Sequence, residues 1–219
     1  MVMDEVLLLV NAFFTMKKTD SLATQTSIIE ELSENMRNLP LFPELRGEAA
    51  FRSCAGMRMC LANIGRLDAG NISAVGKLDH GSELQKRVYS YYVDKQETLE
   101  KIAAAICSLK DIDFPLLEAY NDSIVGKILP SYHSYLETKT NLRIRLLDKI
   151  SSNAGTVCMM CEKDLAKEYG EFALEMMEAH ITIPLEEHRR NIRVSLSNGR
   201  LLCPSCHKYC HLIITQYLV

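Results

Sequence analysis

Two closely spaced pairs of cysteines constrain the fold of this chain more than any other feature of its sequence. Each pair has a two-residue gap, in Cys158-x-x-Cys161 and Cys203-x-x-Cys206. This spacing lets both thiolates of a pair reach one ion, and two pairs complete the tetrahedral shell that zinc prefers. We therefore predict a structural Zn²⁺ site. Such a shell is closed, so it stabilises a segment too short to bury much apolar surface and leaves no position for chemistry.

The other four of the eight cysteines do not extend this pattern. Cys54, Cys60 and Cys107 occur in apolar segments predicted to be helical, where a thiol usually packs as a small hydrophobic group. Cys210 follows Cys206 by four residues, and we predict that it is a packed thiol and not a fifth ligand. Clustered pairs in a chain without a secretory signal favour metal binding over disulfides.

The overall composition is that of an ordinary folded protein. The 219 residues are 47% hydrophobic and 24% charged, enough for one medium domain or two small ones. No apolar run approaches the roughly 18 residues that span a bilayer, so we expect a cytoplasmic protein without a membrane partner. The net charge of −3 gives no strongly basic surface, although arginines occur locally at 143 and 145 and at 189, 190 and 193.

The first 150 residues have the 3.6-residue apolar period of helices, and this period stops in the sequence that follows them. Helices are predicted at about 6–14, 28–36, 48–64, 82–109, 116–129 and 132–150, with a loop at 68–81. The Ser-Ser-Asn-Ala-Gly stretch at 151–155 is the best boundary in the chain. We therefore predict a mainly α domain over residues 1–150, for DNA selection or partner binding. A small α+β domain with the four-cysteine zinc site is predicted over 152–219.

A second set of polar residues lies between and after the cysteine pairs. His180 precedes an Ile-Pro-Leu segment, and Asn198 stands five residues before Cys203. His207 and His211 are four residues apart, so on a helix they project from one face toward a common point. A lone histidine is more often a surface or core residue, but three beside a zinc knuckle, together with an asparagine, suggest a second site.

These motifs together resemble the H-N-H endonucleases, and more narrowly the branch of predicted or methylcytosine-specific restriction enzymes. The residues that carry the resemblance are Cys158-x-x-Cys161, Tyr169-Gly170-Glu171, Glu178-Ala179-His180-x-x-x-Pro184-Leu185 and Asn198-x-x-x-x-Cys203-Pro204-x-Cys206-His207-x-x-x-His211. A weaker likeness covers residues 51–68, similar to a segment often found ahead of this nuclease domain.

The resemblance implies a ββα-metal fold, in which a β-hairpin and a helix surround one catalytic cation, usually Mg²⁺ or Mn²⁺. It implies that His180 is a metal ligand and that Asn198 orients the site. His207 would bind the metal or the scissile phosphate, with His211 supporting it. The expected partner is DNA. Cutting both strands needs two sites, so a homodimer or a subunit of a larger defence complex is expected.

One position departs from the family pattern. The motif commonly has two adjacent histidines, the second acting as general base, and Ile181 occupies that second place here. Isoleucine cannot accept a proton, and loss of a general base typically costs about 10²–10⁴-fold in rate. Three accounts compete: a one-residue bulge before Pro184 puts His180 in the base position, His188 substitutes, or catalysis is lost. His188, between charged neighbours, is otherwise predicted to lie on a solvated face.

Two functions from different classes follow from the sequence. The first is a metal-dependent DNA endonuclease of the restriction or antiviral defence kind, favoured by His180, Asn198, His207 and His211. The alternative, favoured by Ile181, is a catalytically degenerate zinc module of the same fold that binds DNA or a protein. A zinc-finger transcription factor is a poorer third, since the segment after Pro204 offers few side chains for base edges.

Overall fold

The computed structural model describes residues 1–68, 82–110, 128–149 and 155–216. Most of these residues are helical, and a small two-stranded antiparallel sheet lies near the C-terminal end. The chain divides into two compact units, Met1–Ile128 and Leu129–Leu218. Among the described helices, none is long and apolar enough to cross a membrane. The predicted loop at 68–81, the helix at 116–129 and the boundary stretch at 151–155 fall almost entirely outside the described residues.

The first unit is built around its N-terminal helix, α1. Its helices are α1 (Met3–Lys17), α2 (Leu22–Asn38), α3 (Cys54–Gly65), α4 (Glu83–Tyr92) and α5 (Gln96–Ser108). Helix α1 packs against the other four, because residues 6–10 are apolar on every side and fully or almost fully buried. The segment predicted as one helix over 82–109 is two helices, α4 and α5, separated at residues 93–95.

The segment 51–68, to which a weaker family likeness was assigned, has a structural role in this unit. Arg52 forms an ion pair with the fully buried Glu5 of α1. At the other end of the segment, Asp68 Oδ2 lies 2.6 Å from Lys17 Nζ of the same helix. Because a buried carboxylate without a partner is costly, the ion pair with Arg52 stabilises Glu5 inside this unit.

The second unit begins earlier than the sequence predicted. It contains α6 (Ile128–Lys139), α7 (Leu142–Lys149), α8 (Ala166–Tyr169), β1 (Glu178–Ile181), β2 (Gly199–Leu202) and α9 (Pro204–Gln216). The predicted division at 150–152 assigned α6 and α7 to the N-terminal domain, whereas the compact unit starts at Leu129. Their apolar periodicity resembles that of the earlier helices, so the pattern does not reveal which core they join.

Helix α7 is attached to the sheet by close packing and by hydrogen bonds. A Cβ on Gly199 of β2 would lie 2.9 Å from Leu146 Cδ1 and 3.0 Å from Leu142 Cδ1, so any larger residue there would require both leucine side chains to shift. Arg143 donates from Nε to the Met177 carbonyl at 2.7 Å and from Nη2 to the Leu174 carbonyl at 2.6 Å. These contacts fix α7 against the strand that follows Met177.

The two strands pair in a regular antiparallel register. His180 lies opposite Arg200, and Ile181 lies opposite Gly199. Beyond the strands, Thr182 donates its backbone N–H to the Asn198 carbonyl at 2.7 Å. Helix α9 packs on both strands and begins directly after β2. This part of the unit therefore consists of two antiparallel strands and the helix that follows them.

Candidate metal centres

The four predicted cysteine ligands come together in one cluster. The sulfurs of Cys158, Cys161, Cys203 and Cys206 all lie within 4.8 Å of one another. Cys161 Sγ and Cys203 Sγ are 3.8 Å apart. Thiolates bound to one zinc at about 2.3 Å in a tetrahedron lie about 3.8 Å apart, so the cluster has the dimensions of a zinc site.

Backbone hydrogen bonds hold the two cysteine pairs in place. Met159 donates its N–H to the Leu201 carbonyl at 2.9 Å, which fixes the first pair to β2. The second pair is positioned by α9, whose residue His207 donates its N–H to the Cys203 carbonyl at 2.9 Å. Cys210 stands outside the cluster, with its sulfur 3.8 Å from Met160 Sδ. The cluster therefore joins the segment before α8, which carries the first cysteine pair, to the end of β2 and the start of α9, which carry the second pair.

The acid–base chemistry of the cluster also fits a cation. Burial alone would raise the pKa of Cys158, but backbone hydrogen bonds from Cys161, Cys203 and Met160 lower it to about 6. Burial and contacts with the other thiols raise the pKa of Cys206. Four crowded thiols cannot all ionise unless a positive charge is shared among them, and a bound metal supplies that charge.

A second cluster contains five of the chain's six histidines; the sixth, His80, lies outside the described residues. Helix α6 contributes His133 and Glu137, β1 contributes Glu178 and His180, and α9 contributes His207 and His211. The fifth histidine, His188, follows the short helix Leu185–Glu187. Such a concentration of imidazoles from four segments is a strong indication of a binding site, because unpaired polar groups are costly to bury.

The carboxylate of Glu137 lies at the centre of this cluster. Its Oε1 is 2.9 Å from His133 Nε2 and 2.9 Å from His180 Nδ1. Its Oε2 is 3.2 Å from His207 Nε2 and 3.0 Å from His211 Nε2. Burial alone would raise the pKa of Glu137, but the four surrounding imidazoles hold it well below the usual range. Glu137 is therefore an anion that organises the cluster.

A chain of hydrogen bonds supports His133 from behind. His133 Nδ1 lies 3.1 Å from His188 Nε2, and His188 Nδ1 lies 2.9 Å from the Pro184 carbonyl oxygen. Both rings are fully buried. Burial lowers the pKa of His133, and it lowers that of His188 to about 4. Burial therefore disfavours the charged form of both imidazoles.

Two buried nitrogens in the cluster lack a hydrogen-bond partner. His133 Nε2 and His180 Nδ1 both approach Glu137 Oε1, but neither contact has hydrogen-bond geometry. Donor atoms bound to one ion at about 2.1 Å lie about 3.0–3.4 Å from one another. The imidazole nitrogens lie 2.9–3.2 Å from the Glu137 oxygens, close to that range, so the residues present fit a metal ion.

His207 differs from the other histidines because a second carboxylate holds it. Its Nδ1 forms a short hydrogen bond with Glu178, the first residue of β1. Burial alone would lower the pKa of His207, but Glu137 and Glu178 outweigh that effect and raise it. Its ring is 18% exposed, so it is accessible to solvent as well as to the cluster.

The side chain of Asn198, a residue of the predicted site, stands outside this cluster. Asn198 accepts a hydrogen bond from Ser195 Oγ at 2.6 Å through Oδ1, and its carbonyl accepts from Thr182. It therefore closes the connection into β2. The side chain of Ile181 is fully buried, and only its backbone takes part, since its N–H donates to Glu137 Oε1 at 2.9 Å.

The structure also bears on two of the accounts for Ile181. The regular register through Ile181 contains no bulge in β1 that would shift His180. His188, predicted to lie on a solvated face, is instead fully buried, so that interpretation was wrong. Both of its nitrogens are engaged, by His133 and by Pro184, which leaves neither to accept a proton from water.

Sequence reasoning missed His133 and Glu137. One signal was available: the two residues are four apart on a helix whose neighbouring positions Leu129, Tyr132 and Leu136 are apolar. Two polar groups at that spacing on a buried face need partners. Nothing local to α6 names those partners, which lie more than 40 residues further along the chain.

No family model, curated protein or solved structure matches this chain. We therefore infer its function from the two clusters.

Proposed function

We propose that the Leu129–Leu218 unit is a metal-dependent endonuclease that hydrolyses the phosphodiester backbone of DNA, in restriction or phage defence. One observation carries the proposal. A hairpin and the helix after it bring His180, His207 and His211 together beside a four-cysteine cluster, as in the H-N-H enzymes that the sequence resembles. A purely structural zinc module has no need of these histidines.

Two centres divide the work in this proposal. The cysteine cluster holds a structural Zn²⁺, and His180 and His211, with Glu137, hold a catalytic Mg²⁺ or Mn²⁺. When bound, that cation neutralises charge on the phosphate and on the departing oxygen. The protein's own contribution is to fix the donors on three different elements, so that they converge before substrate arrives.

His207 and Glu178 supply the proton acceptor that Ile181 cannot. Glu178 accepts the Nδ1 hydrogen of His207 and orients the ring, which leaves Nε2 facing the cluster to take a proton from the attacking water. This pairing assigns His207 to proton transfer, beside the ligands, as the site's general base.

The surface near the site carries groups suited to a phosphate backbone. Arg189, Arg190 and Arg193 follow His188 directly, and all three side chains are exposed. Exposed arginines bind phosphates by charge and by bidentate hydrogen bonds. Two copies are needed to cut both strands, so a homodimer or a larger defence complex is the working assembly.

A second function is favoured by a specific observation. The side chain of Glu137 is only 7% exposed, and four imidazoles surround it, as in a closed structural site and unlike an open catalytic one. With Ile181 buried as well, the same fold would serve as a non-catalytic module that binds DNA or a protein.

Cleavage of supercoiled plasmid separates these two functions. The wild-type chain is incubated with plasmid in Mg²⁺ or in Mn²⁺, and nicked and linear products are counted. Glu178→Gln weakens the base and lowers the rate about 10²–10⁴-fold, as does His207→Ala. Glu175→Gln, an exposed glutamate three residues earlier, retains the wild-type rate. Intact plasmid with every ion, while the protein still retards DNA in a gel, selects the binding module.

A further inference from the structure

We infer that α6 completes a transition-metal centre, in which His133 and Glu137 bind one ion together with His180 and His211. The inference deepens the proposed function and rests on it for the role of the ion. It assigns two ligands that lie outside the sequence motif and a class of metal for the site.

The geometry of the donors is the first support. The four side chains each offer one atom, and these atoms all lie within 4.8 Å of one another. They come from three elements, α6, β1 and α9, so the arrangement does not follow from the spacing of residues within one helix. His133 and His180 are buried, and their inward nitrogens are those left without hydrogen bonds.

The tautomers of two histidines give an independent argument. The Pro184 carbonyl can only accept, so His188 Nδ1 carries a hydrogen, and the neutral ring then presents a lone pair at Nε2. His133 Nδ1 must donate to that lone pair. With the hydrogen on Nδ1, Nε2 is the nitrogen of His133 left for a ligand, and it lies 2.9 Å from the Glu137 carboxylate.

The contact between His133 Nε2 and Glu137 Oε1 lacks hydrogen-bond geometry, so a hydrogen bond between the two atoms does not account for it. One cation shared by the carboxylate and the lone pairs resolves all the contacts at once. Metal-bound histidines are commonly supported through their second nitrogen in this way.

The donor set selects the class of metal. Three imidazole nitrogens and one carboxylate oxygen suit Zn²⁺, Mn²⁺, Fe²⁺, Co²⁺ or Ni²⁺, whereas Mg²⁺ prefers oxygen ligands and retains its waters. The site therefore binds a transition metal in preference to Mg²⁺, which makes Mn²⁺ the better of the two catalytic ions considered above.

Cobalt titration of the full-length chain tests this centre without reference to cleavage. Protein already carrying zinc is titrated with Co²⁺, and bound zinc and cobalt are counted per chain by elemental mass spectrometry. We expect two ions per chain, and a large excess of Mg²⁺ should not displace the cobalt. X-ray absorption at the cobalt edge should show nitrogen and oxygen neighbours. One ion per chain, or cobalt with only sulfur neighbours, overturns the inference.

Substitutions assign the ligands. Glu137→Gln and His211→Ala should each retain a single ion, whereas Glu187→Gln, an exposed glutamate beside His188, should retain two. Two ions bound with unchanged affinity in Glu137→Gln would overturn the assignment. If these variants fail to fold, the cobalt-edge spectrum of the wild type still decides. Two ions with intact plasmid contradict only the proposed nuclease, and cleavage with one ion contradicts only this centre.

His188 is a positioning residue in this scheme, and it has a separate test. His188→Phe retains a ring but cannot accept from His133, so cobalt affinity should fall about 10–100-fold. His188→Gln should recover much of that loss, because its amide can donate to Pro184 and accept from His133. Equal affinities in the phenylalanine and glutamine variants would contradict the role given to the hydrogen-bond chain.

Discussion

Arg143 of α7 holds the Met177 carbonyl oxygen 2.7 Å from its Nε, across 34 residues of chain, at the point where β1 begins. The same guanidinium reaches the Leu174 carbonyl at 2.6 Å. The helix that follows α6 is therefore linked by hydrogen bonds to the start of the strand that carries His180. This connection leads to the first prediction.

Arg143→Met should destabilise the C-terminal unit. Hydrogen bonds from a charged group are worth about 1.5–3 kcal/mol each when buried, and partial exposure here reduces the expected loss to about 2 kcal/mol in total. The measurement is the midpoint of thermal unfolding. Arg145→Met is the matched control, since Arg145 makes one longer contact, 3.4 Å to the Val194 carbonyl. Equal losses in the two variants would contradict the role given to Arg143.

The cysteine cluster predicts a fixed zinc content. The wild-type chain should carry one zinc at the four thiolates, and Cys203→Ser should lose it together with the folded structure of the unit, because metal binding contributes folding energy directly. Elemental analysis and circular dichroism provide the measurements. Cys210→Ser, outside the cluster, should retain both the zinc and the fold. Full zinc and full stability in the Cys203 variant would exclude this cluster as the structural site.

Ile181→His tests whether an empty base position limits the reaction. The side chain is fully buried, so an imidazole there meets apolar surroundings and should lower the free energy of unfolding by about 1–3 kcal/mol. No rise in plasmid cleavage is expected, since His207 and Glu178 already supply the base in our proposal. Thr182→His, exposed one residue later, should lose less stability, because it removes only the exposed hydrogen bond from Thr182 Oγ1 to the Asn198 carbonyl. Faster cleavage by the Ile181 variant would mean that the base was missing.

The parts of the site that sequence predicted are those with local spacing. The two cysteine pairs, and His207 with His211, depend on separations of three or four residues, and all are brought together as expected. His180 was found through the resemblance. The convergence of the four cysteines and the presence of a small sheet beside helices are confirmed, whereas the catalytic roles stay predictions.

The parts that sequence missed depend on contacts between distant segments. His188 has charged residues on both sides, which suggested a solvated face, but the short helix Leu185–Glu187 ahead of it turns the ring inward. Glu137 meets His211 across 74 residues. Apolar periodicity could predict α6 and α7 as helices, but it could not say which of two cores they would join.

The packing around Gly199 helps to determine the smallest segment of the chain that could be transplanted with a complete site. Because a methyl group at position 199 would lie 2.9 Å from Leu146 and 3.0 Å from Leu142, the hairpin packs tightly against α7 at this point. If residues 152–219 were grafted onto another protein, the hairpin would lack the helix that packs against it. Two of the four proposed ligands would also be missing. A transplant that starts at Leu129 would carry both the fitted helix and the complete donor set.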